Sequence, residues 1–370
     1  MQSTPSLVLL AAGGTGGHLF PAYALAEELG RRGHTVDLAT DMRGDRYGTG
    51  FPAREIHRLP AATISGADPV AAARAAITLA RGTSAAFSLL GTLKPAAVVG
   101  FGGYPSFAPI LAAKLRGIPT ALHEQNAVLG RANRLLARRA DAIATSFETV
   151  RHLEGALAGK ARFTGNPVRS QVISAARPLY DPPQVGGPLR LVVFGGSQGA
   201  RIFADVVPAA VALLPFSIKA RLQIVQQTRE EDMERVGAAY AAVGIRADLA
   251  PFFKDLPERL ASAHLVIGRA GASTVAELTV LGRPSLLIPL PHAVDNDQLQ
   301  NATRLADAGG AICLEQKEFT SERCAAELSR AFEAPQMLSS MAEAAQRMGK
   351  PDAVARLADL VENLIAKRSA

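Results

Sequence analysis

VLLAAGGTGGH, Val8 to His18, runs a buried-type strand into a glycine cluster that opens a helix, and LVVFGGSQGAR, Leu191 to Arg201, repeats the device half a chain later. Glycines at such a turn let the backbone bend tightly and approach a ligand, while the free N–H groups at the start of the following helix suit phosphate or pyrophosphate. One such turn is an ordinary feature of an α/β domain. Two, placed in corresponding positions, imply an α/β protein of two Rossmann-like domains with a cleft between them.

Working outward, apolar strand-like runs alternate with helical patterns. Leu7–Ala12, Thr35–Ala39, Ala96–Gly100, Thr120–His123 and Ala142–Ala144 read as strands of the first half, with a helix near Pro21–Arg32. Leu189–Phe194, Leu222–Gln226, Leu265–Gly268 and Ser285–Pro289 read as strands of the second. This alternation predicts parallel sheets covered by helices on both faces. The expected organisation is a first domain over 1–170, a Pro/Gly-rich linker over 171–188, a second domain over 189–350, and a terminal helix within 351–370 that could return to the first domain.

The 370 residues suit two domains, and 48% apolar with 20% charged residues is a globular composition. Residues 1–180 carry 20 basic against 11 acidic side chains, and residues 181–370 carry 20 against 22, so the net charge of +7 resides in the first half. A basic face attracts nucleic acid, an anionic membrane or a phosphorylated substrate. With no Trp and 5% aromatics there is little to stack on bases, which disfavours nucleic acid. The uncharged stretch Pro95–Ala113 has the length of a membrane span, but Gly100, Gly102, Gly103, Pro105 and Pro109 divide it into strand, turn and helix. Leu7–Ala12 lacks the basic flank of a signal peptide, so the expected compartment is the cytoplasm. Cys313 and Cys324 have no metal-ligand spacing and are expected to be reduced.

Ligands of open α/β sheets gather beyond the carboxyl ends of the strands. In the first half those positions hold Gly13–His18, Gly102–Ser106 and His123–Asn126; in the second, Gly195–Gly199, Gly268–Thr274 and Pro291–Asn301. Together GGTGGHLFPAYALAEEL, GFGGYPSFAPILAA, HEQNAVLGRANRLLA, TGNPVR, VFGGSQGAR, GRAGASTVAEL and Pro289–Asn301 resemble the MurG family of bacterial glycosyltransferases, in collinear order over most of the chain. The resemblance implies the GT-B fold and a donor-binding C-terminal domain. It further implies transfer of N-acetylglucosamine from UDP-N-acetylglucosamine to O4 of N-acetylmuramic acid in undecaprenyl-linked lipid I, with inversion, yielding lipid II for peptidoglycan.

Roles follow by matching positions. The resemblance gives Thr15, Gly16 and Gly17 to the loop nearing donor sugar and acceptor pyrophosphate. It gives donor contacts to Asn126, Arg169, Ser197, Phe253, Ser273, Thr274, Glu277 and Gln298, with Glu277 on the ribose hydroxyls and the Phe253 backbone near uracil. Acceptor contacts fall to Gly16, Gly17, His18 and Tyr104. His18 is the leading general base, because imidazole titrates in the useful range, and Glu124 is its rival. No cofactor is expected. Asp295-Asn296-Asp297 has the look of a metal-holding triplet, yet two acids beside a helix start are also favoured by its dipole, and no metal is expected there. A sugar-nucleotide epimerase, a nicotinamide dehydrogenase and a non-catalytic sugar-nucleotide binder are the alternatives. Gly14, Gly16 and His18 do not complete the dehydrogenase spacing.

A peripheral place on the cytoplasmic face of the inner membrane is expected from the polyprenyl acceptor and the basic first half. Asp68-Pro69 starts a segment bearing Val70, Ile77 and Leu79 with Arg74 and Arg81. Phe87, Leu89, Leu90 and the cluster Arg131, Arg134, Arg138 and Arg139 follow. Partners expected are thus UDP-N-acetylglucosamine, lipid I, the anionic membrane surface and cell-wall synthesis proteins, without nucleic acid.

Overall fold

Strands buried on both faces are made of unbroken apolar runs, and the first such run, β1 (Leu7–Ala11), nucleates a parallel sheet by pairing with two neighbours at once. The computed structural model describes residues 5–13, 16–41, 50–62, 68–196 and 199–369. It divides into two units, residues 1–169 with 350–370, and residues 170–349.

Unit 1 contains β1, β2 (Thr35–Thr40), β3 (Ile56–Arg58), β4 (Ala97–Gly100), β5 (Thr120–Glu124), β6 (Ala142–Thr145) and β7 (Ala161–Phe163). They form one parallel sheet in the order β3-β2-β1-β4-β5-β6-β7. Successive residues of a strand face opposite sides, so Leu9 and Ala11 enter one core while Val8 and Leu10 enter another. Helix Ala353–Ser369 completes the second core with Leu357, Ala358 and Val361. Arg32 fixes that helix by ion pairs of 2.6 Å to Asp359 and 2.7 Å to Glu362.

Unit 2 contains β8 (Leu189–Phe194), β9 (Leu222–Gln227), β10 (Asp248–Ala250), β11 (Leu265–Gly268), β12 (Ser285–Leu287) and β13 (Ala311–Cys313), all parallel, in the order β10-β9-β8-β11-β12-β13. The stretch 171–188, expected as a linker, belongs to this unit. It begins within helix Ser170–Ala175 and is bonded to the body: Arg283 donates to the Pro178 carbonyl, the Tyr180 hydroxyl to the His264 carbonyl and Arg221 to the Gly187 carbonyl.

Pro95–Ala113 resolves into β4, a short turn at Tyr104–Ser106 and the helix Phe107–Leu115. Among the described residues no helix is long and apolar enough to cross a membrane. Helix Pro69–Leu93 starts where the Asp68 carboxylate accepts the Val70 N–H at 3.0 Å. Its apolar residues divide by face. Leu79 and Leu90 are buried, whereas Val70 and Ile77 are each 56% exposed and share a stripe with the exposed Arg74 and Arg81.

Candidate active site

The strand order reverses once in each sheet, between β1 and β4 in unit 1 and between β8 and β11 in unit 2. Crevices for ligands open at such switch points, because the crossover connections depart to opposite sides. The glycine turn at Gly13–Gly17 follows β1, and the turn at Gly102–Gly103 follows β4. Gly102 and Gly103 have φ of +82° and +68°, a conformation that side chains disfavour. A Cβ on either would come within 3.3 Å of the His18 ring. The second turn therefore serves as a floor on which the imidazole of the first turn lies.

His18 is half-buried at the first turn of helix Gly16–Arg31. Its Nδ1 is 3.1 Å from Oε1 of Gln125, two strands away at the end of β5. The NH2 of Gln125, with two hydrogens, faces the Phe101 carbonyl oxygen at 3.0 Å, the His123 carbonyl oxygen at 3.1 Å and Nδ1 of His123 at 2.9 Å. Nε2 of His123 lies 3.2 Å from the Gly165 carbonyl, at the segment following β7. One buried chain of hydrogen bonds thus joins the tips of β1, β4, β5 and β7. Burial pushes His18 below the usual imidazole range, partly offset by Gln125 and the Phe101 carbonyl. Burial pushes His123 down to about 4.

Glu124 is buried at 1% exposure, and burial raises its pKa, while four donors pull the other way. These are the N–H groups of Asn126 (3.0 Å) and Gly130 (2.8 Å) and the side-chain amides of Asn133 (2.8 Å) and Asn126 (3.4 Å). Its carboxylate braces the loop between β5 and the helix Arg131–Ala137. After β7 comes Asn166, 6% exposed, whose buried amide N and O have no hydrogen-bond partner among the described residues. The Arg169 guanidinium stacks 4.6 Å from the centre of the Phe20 ring, and a Cβ on Gly16 would touch the same ring at 3.1 Å. Tyr104 is half-buried at the start of the turn after β4.

At the unit 2 switch point, Gly195 donates its N–H to Oε1 of Gln227 at 3.0 Å, and a Cβ on Gly195 would come within 2.3 Å of the Ala200 nitrogen, so only glycine fits. After β11, Oε1 of Gln298 accepts N–H groups of Ala270 (3.3 Å) and Leu290 (3.0 Å), and Asn301 donates to the Ala270 carbonyl at 3.1 Å. The acceptor side of Gln298 is thus engaged by two backbone N–H groups. Arg269, pushed down to about 10 by burial, ties the same loop to the Ile288 and Pro289 carbonyls and to Gln316. Helix Ala272–Leu281 follows, with Ser273 and Glu277 one turn apart on one face. The Ser273 hydroxyl is buried without a hydrogen-bond partner among the described residues, and Thr274 and Glu277 are 9% and 5% exposed.

His18, Gly16, Gly17, Tyr104, Glu124, Asn126 and Arg169 all lie at strand tips of unit 1, and Ser273, Thr274, Glu277 and Gln298 at those of unit 2. Phe253 follows the edge strand β10, three strand positions from β11, or about 14 Å at ordinary strand spacing; its ring is buried under Arg259. Thr15 and Ser197 lie outside the described residues. Gln125, His123 and Asn166 carried no assignment from sequence, although each stands inside a quoted motif. The available signal was the density of side-chain amides and imidazoles immediately after strands. Asp297 accepts its neighbour's N–H, from Gln298, at 2.7 Å. Among the described residues the group bringing three potential metal ligands together is Asp37, Glu55 and His57, where Asp37 already accepts from Arg54 and His57.

Residues 8–145 match the glycosyltransferase family 28 N-terminal domain, and residues 190–357 match the family 28 C-terminal domain. A protein of Nitrobacter winogradskyi named UDP-N-acetylglucosamine--N-acetylmuramyl-(pentapeptide) pyrophosphoryl-undecaprenol N-acetylglucosamine transferase is 53% identical over 97% of this chain and 98% of its own. The identically named protein of Rhodopseudomonas palustris is 54% identical over 96% of this chain and 97% of its own. Among solved structures, MurG of Acinetobacter baumannii superposes with a TM-score of 0.79 at 31% identity, covering 97% of this chain and all of that one.

Proposed function

The chain belongs to glycosyltransferase family 28 and, within it, to the MurG transferases of the GT-B fold, and on that premise we propose the reaction it performs and the residues that perform it. It is a hexosyltransferase that moves N-acetylglucosamine from UDP-N-acetylglucosamine to N-acetylmuramyl-(pentapeptide) pyrophosphoryl-undecaprenol, lipid I. The observation that carries this reading is the 53% identity over 97% of the chain to a transferase of that name.

The acceptor O4 hydroxyl attacks the anomeric carbon of the donor from the face opposite UDP. The new C–O bond forms as the bond to the UDP phosphate breaks, its electron pair leaving with UDP, and the hydroxyl proton passes to His18. A ring held below the usual imidazole range is neutral at pH 7 and free to accept that proton. Glu124 acts as a brace that shapes the loop carrying Asn126, since its oxygens already receive four donors. Glu277 holds the ribose hydroxyls, Ser273 and Thr274 sit where helix N–H groups meet the phosphates, and the Gln298 NH2 donates to a sugar hydroxyl. Ser197 and Thr15 join the phosphate-facing loops, the Phe253 backbone faces uracil, and Tyr104, Gly16 and Gly17 meet the acceptor. Arg169, whose charge does not titrate away, offsets the charge of the leaving diphosphate.

The deciding experiment supplies UDP-N-acetylglucosamine with and without a lipid-linked muramoyl acceptor. UDP release that depends on the acceptor is expected; release without acceptor, or epimerised donor, would overturn the reading.

The same enzyme works on the cytoplasmic face of the membrane without spanning it, alongside other cell-wall synthesis proteins. Supporting this are the exposed stripe Val70, Arg74, Ile77 and Arg81 and the exposed Arg131, Arg138 and Arg139. Each basic side chain near an anionic surface contributes roughly 1 kcal/mol. Sedimentation with anionic vesicles at low salt should therefore fall when Arg74, Arg81, Arg138 and Arg139 are all replaced by Gln, and equal binding by that variant would remove this surface from the account.

A further inference from the structure

Gln125 faces three acceptors and one ring nitrogen, and its amide can satisfy them in one orientation only. Its Nε2 stands 3.0 Å from the Phe101 carbonyl oxygen and 3.1 Å from the His123 carbonyl oxygen. Turning the amide over would set a carbonyl oxygen against both of these oxygens, with no proton between them. Oε1 must therefore face His18, and an amide oxygen only accepts, so Nδ1 of His18 must carry a hydrogen. The other end of the chain agrees. Nδ1 of His123 lies 2.9 Å from the same NH2 and accepts from it, so the His123 proton is on Nε2, where the Gly165 carbonyl receives it. The two amide hydrogens are shared among three acceptors, and the chain from His18 through Gln125 and His123 to Gly165 runs in one direction.

We infer that Gln125 is a positioning residue that locks His18 in the tautomer protonated at Nδ1, leaving Nε2 as the nitrogen that takes the acceptor's proton, and that His123 and the Phe101 carbonyl hold Gln125 in the orientation this requires. The inference rests on the reading of His18 as the base. The bond of the His18 ring to Gln125 is made through Nδ1, and Nε2 is the ring nitrogen on which a Cβ at Gly103 would close to 3.4 Å. A neutral amide, unlike the carboxylate that orients the histidine of many hydrolases, fixes the tautomer without adding a negative charge beside a diphosphate leaving group. His123, kept neutral by burial, anchors the amide and does not relay the proton onward.

The test reads the tautomer directly. In the full-length wild type with 15N-labelled histidine at pH 8, the His18 signals, assigned by their loss in His18→Ala, should show a protonated Nδ1 and an unprotonated Nε2. Gln125→Leu should mix the tautomers and lower kcat about fivefold, the worth of one hydrogen bond, with KM for UDP-N-acetylglucosamine unchanged. A wild-type proton on Nε2 overturns the inference without any variant, and so does an unmixed tautomer in a folded Gln125→Leu. If the tautomer is as stated but His18→Ala keeps full kcat, the lock stands and the base assignment is what fails.

Discussion

The two switch points share a glycine turn and a strand reversal but are wired with different chemistry. In unit 1 the tips of the strands are joined through titratable side chains, with His18 and His123 linked across Gln125 and the Glu124 carboxylate beside them. In unit 2 the corresponding tips are tied by groups that hold one charge state, the amides of Gln227, Gln298 and Asn301 and the guanidinium of Arg269. On the proposed mechanism, proton transfer falls to the first arrangement. The second is suited to gripping a nucleotide-sugar whose charge does not change until it leaves.

This contrast breaks if the wrong side controls the wrong kinetic constant. His18→Ala should lower kcat by about 10²–10⁴-fold, the usual worth of a positioned base, while leaving donor affinity nearly intact; a loss mainly in KM would put His18 on the binding side. Gln298→Ala should do the reverse. By removing a donor to a sugar hydroxyl it should cost about 1–3 kcal/mol in kcat/KM for UDP-N-acetylglucosamine and narrow the preference over the C4 epimer, and an unchanged ratio would sink the assignment. A third effect concerns stability. The ring of His123 is held near 4 when folded but titrates near 6.5 when unfolded, so the unfolded chain binds the extra proton between those values. Stability present above pH 6.5 should then be lost as pH falls, by about 2 kcal/mol at pH 5 from this group. Denaturation profiles of wild type and His123→Gln at pH 7 and pH 5 would check it, the variant being expected to lose less over that interval.

How far the chain could be read in advance depended on where each strand sits. Strands inside the sheets, such as Leu189–Phe194 and Leu265–Gly268, were legible to the residue because the run is apolar throughout, Arg190 excepted. The edge strands β3, β7, β10 and β13 were not read at all. Each has three residues with mixed exposure, and an edge needs no continuous apolar pattern. The same logic governs the site. Motifs that follow interior strands announced the switch points, but the partnership of His18 with Gln125 spans 107 positions and needs the strand order before it can be seen. Glu277 offers another case: the sequence places it on a helix as a ligand-holding acid, and only packing reveals that it is 5% accessible.

The helix Ala353–Ser369 is made after residues 170–349 yet belongs to the unit that begins before them. While residues 170–349 leave the ribosome and fold around their own core, the older unit still lacks Leu357, Ala358 and Val361, and Arg32 lacks Asp359 and Glu362. Domains ordinarily mature in the order of synthesis. Here the order is inverted: the unit carrying the imidazole chain stays unfinished until translation has passed Glu362, after the whole of residues 170–349 has been made.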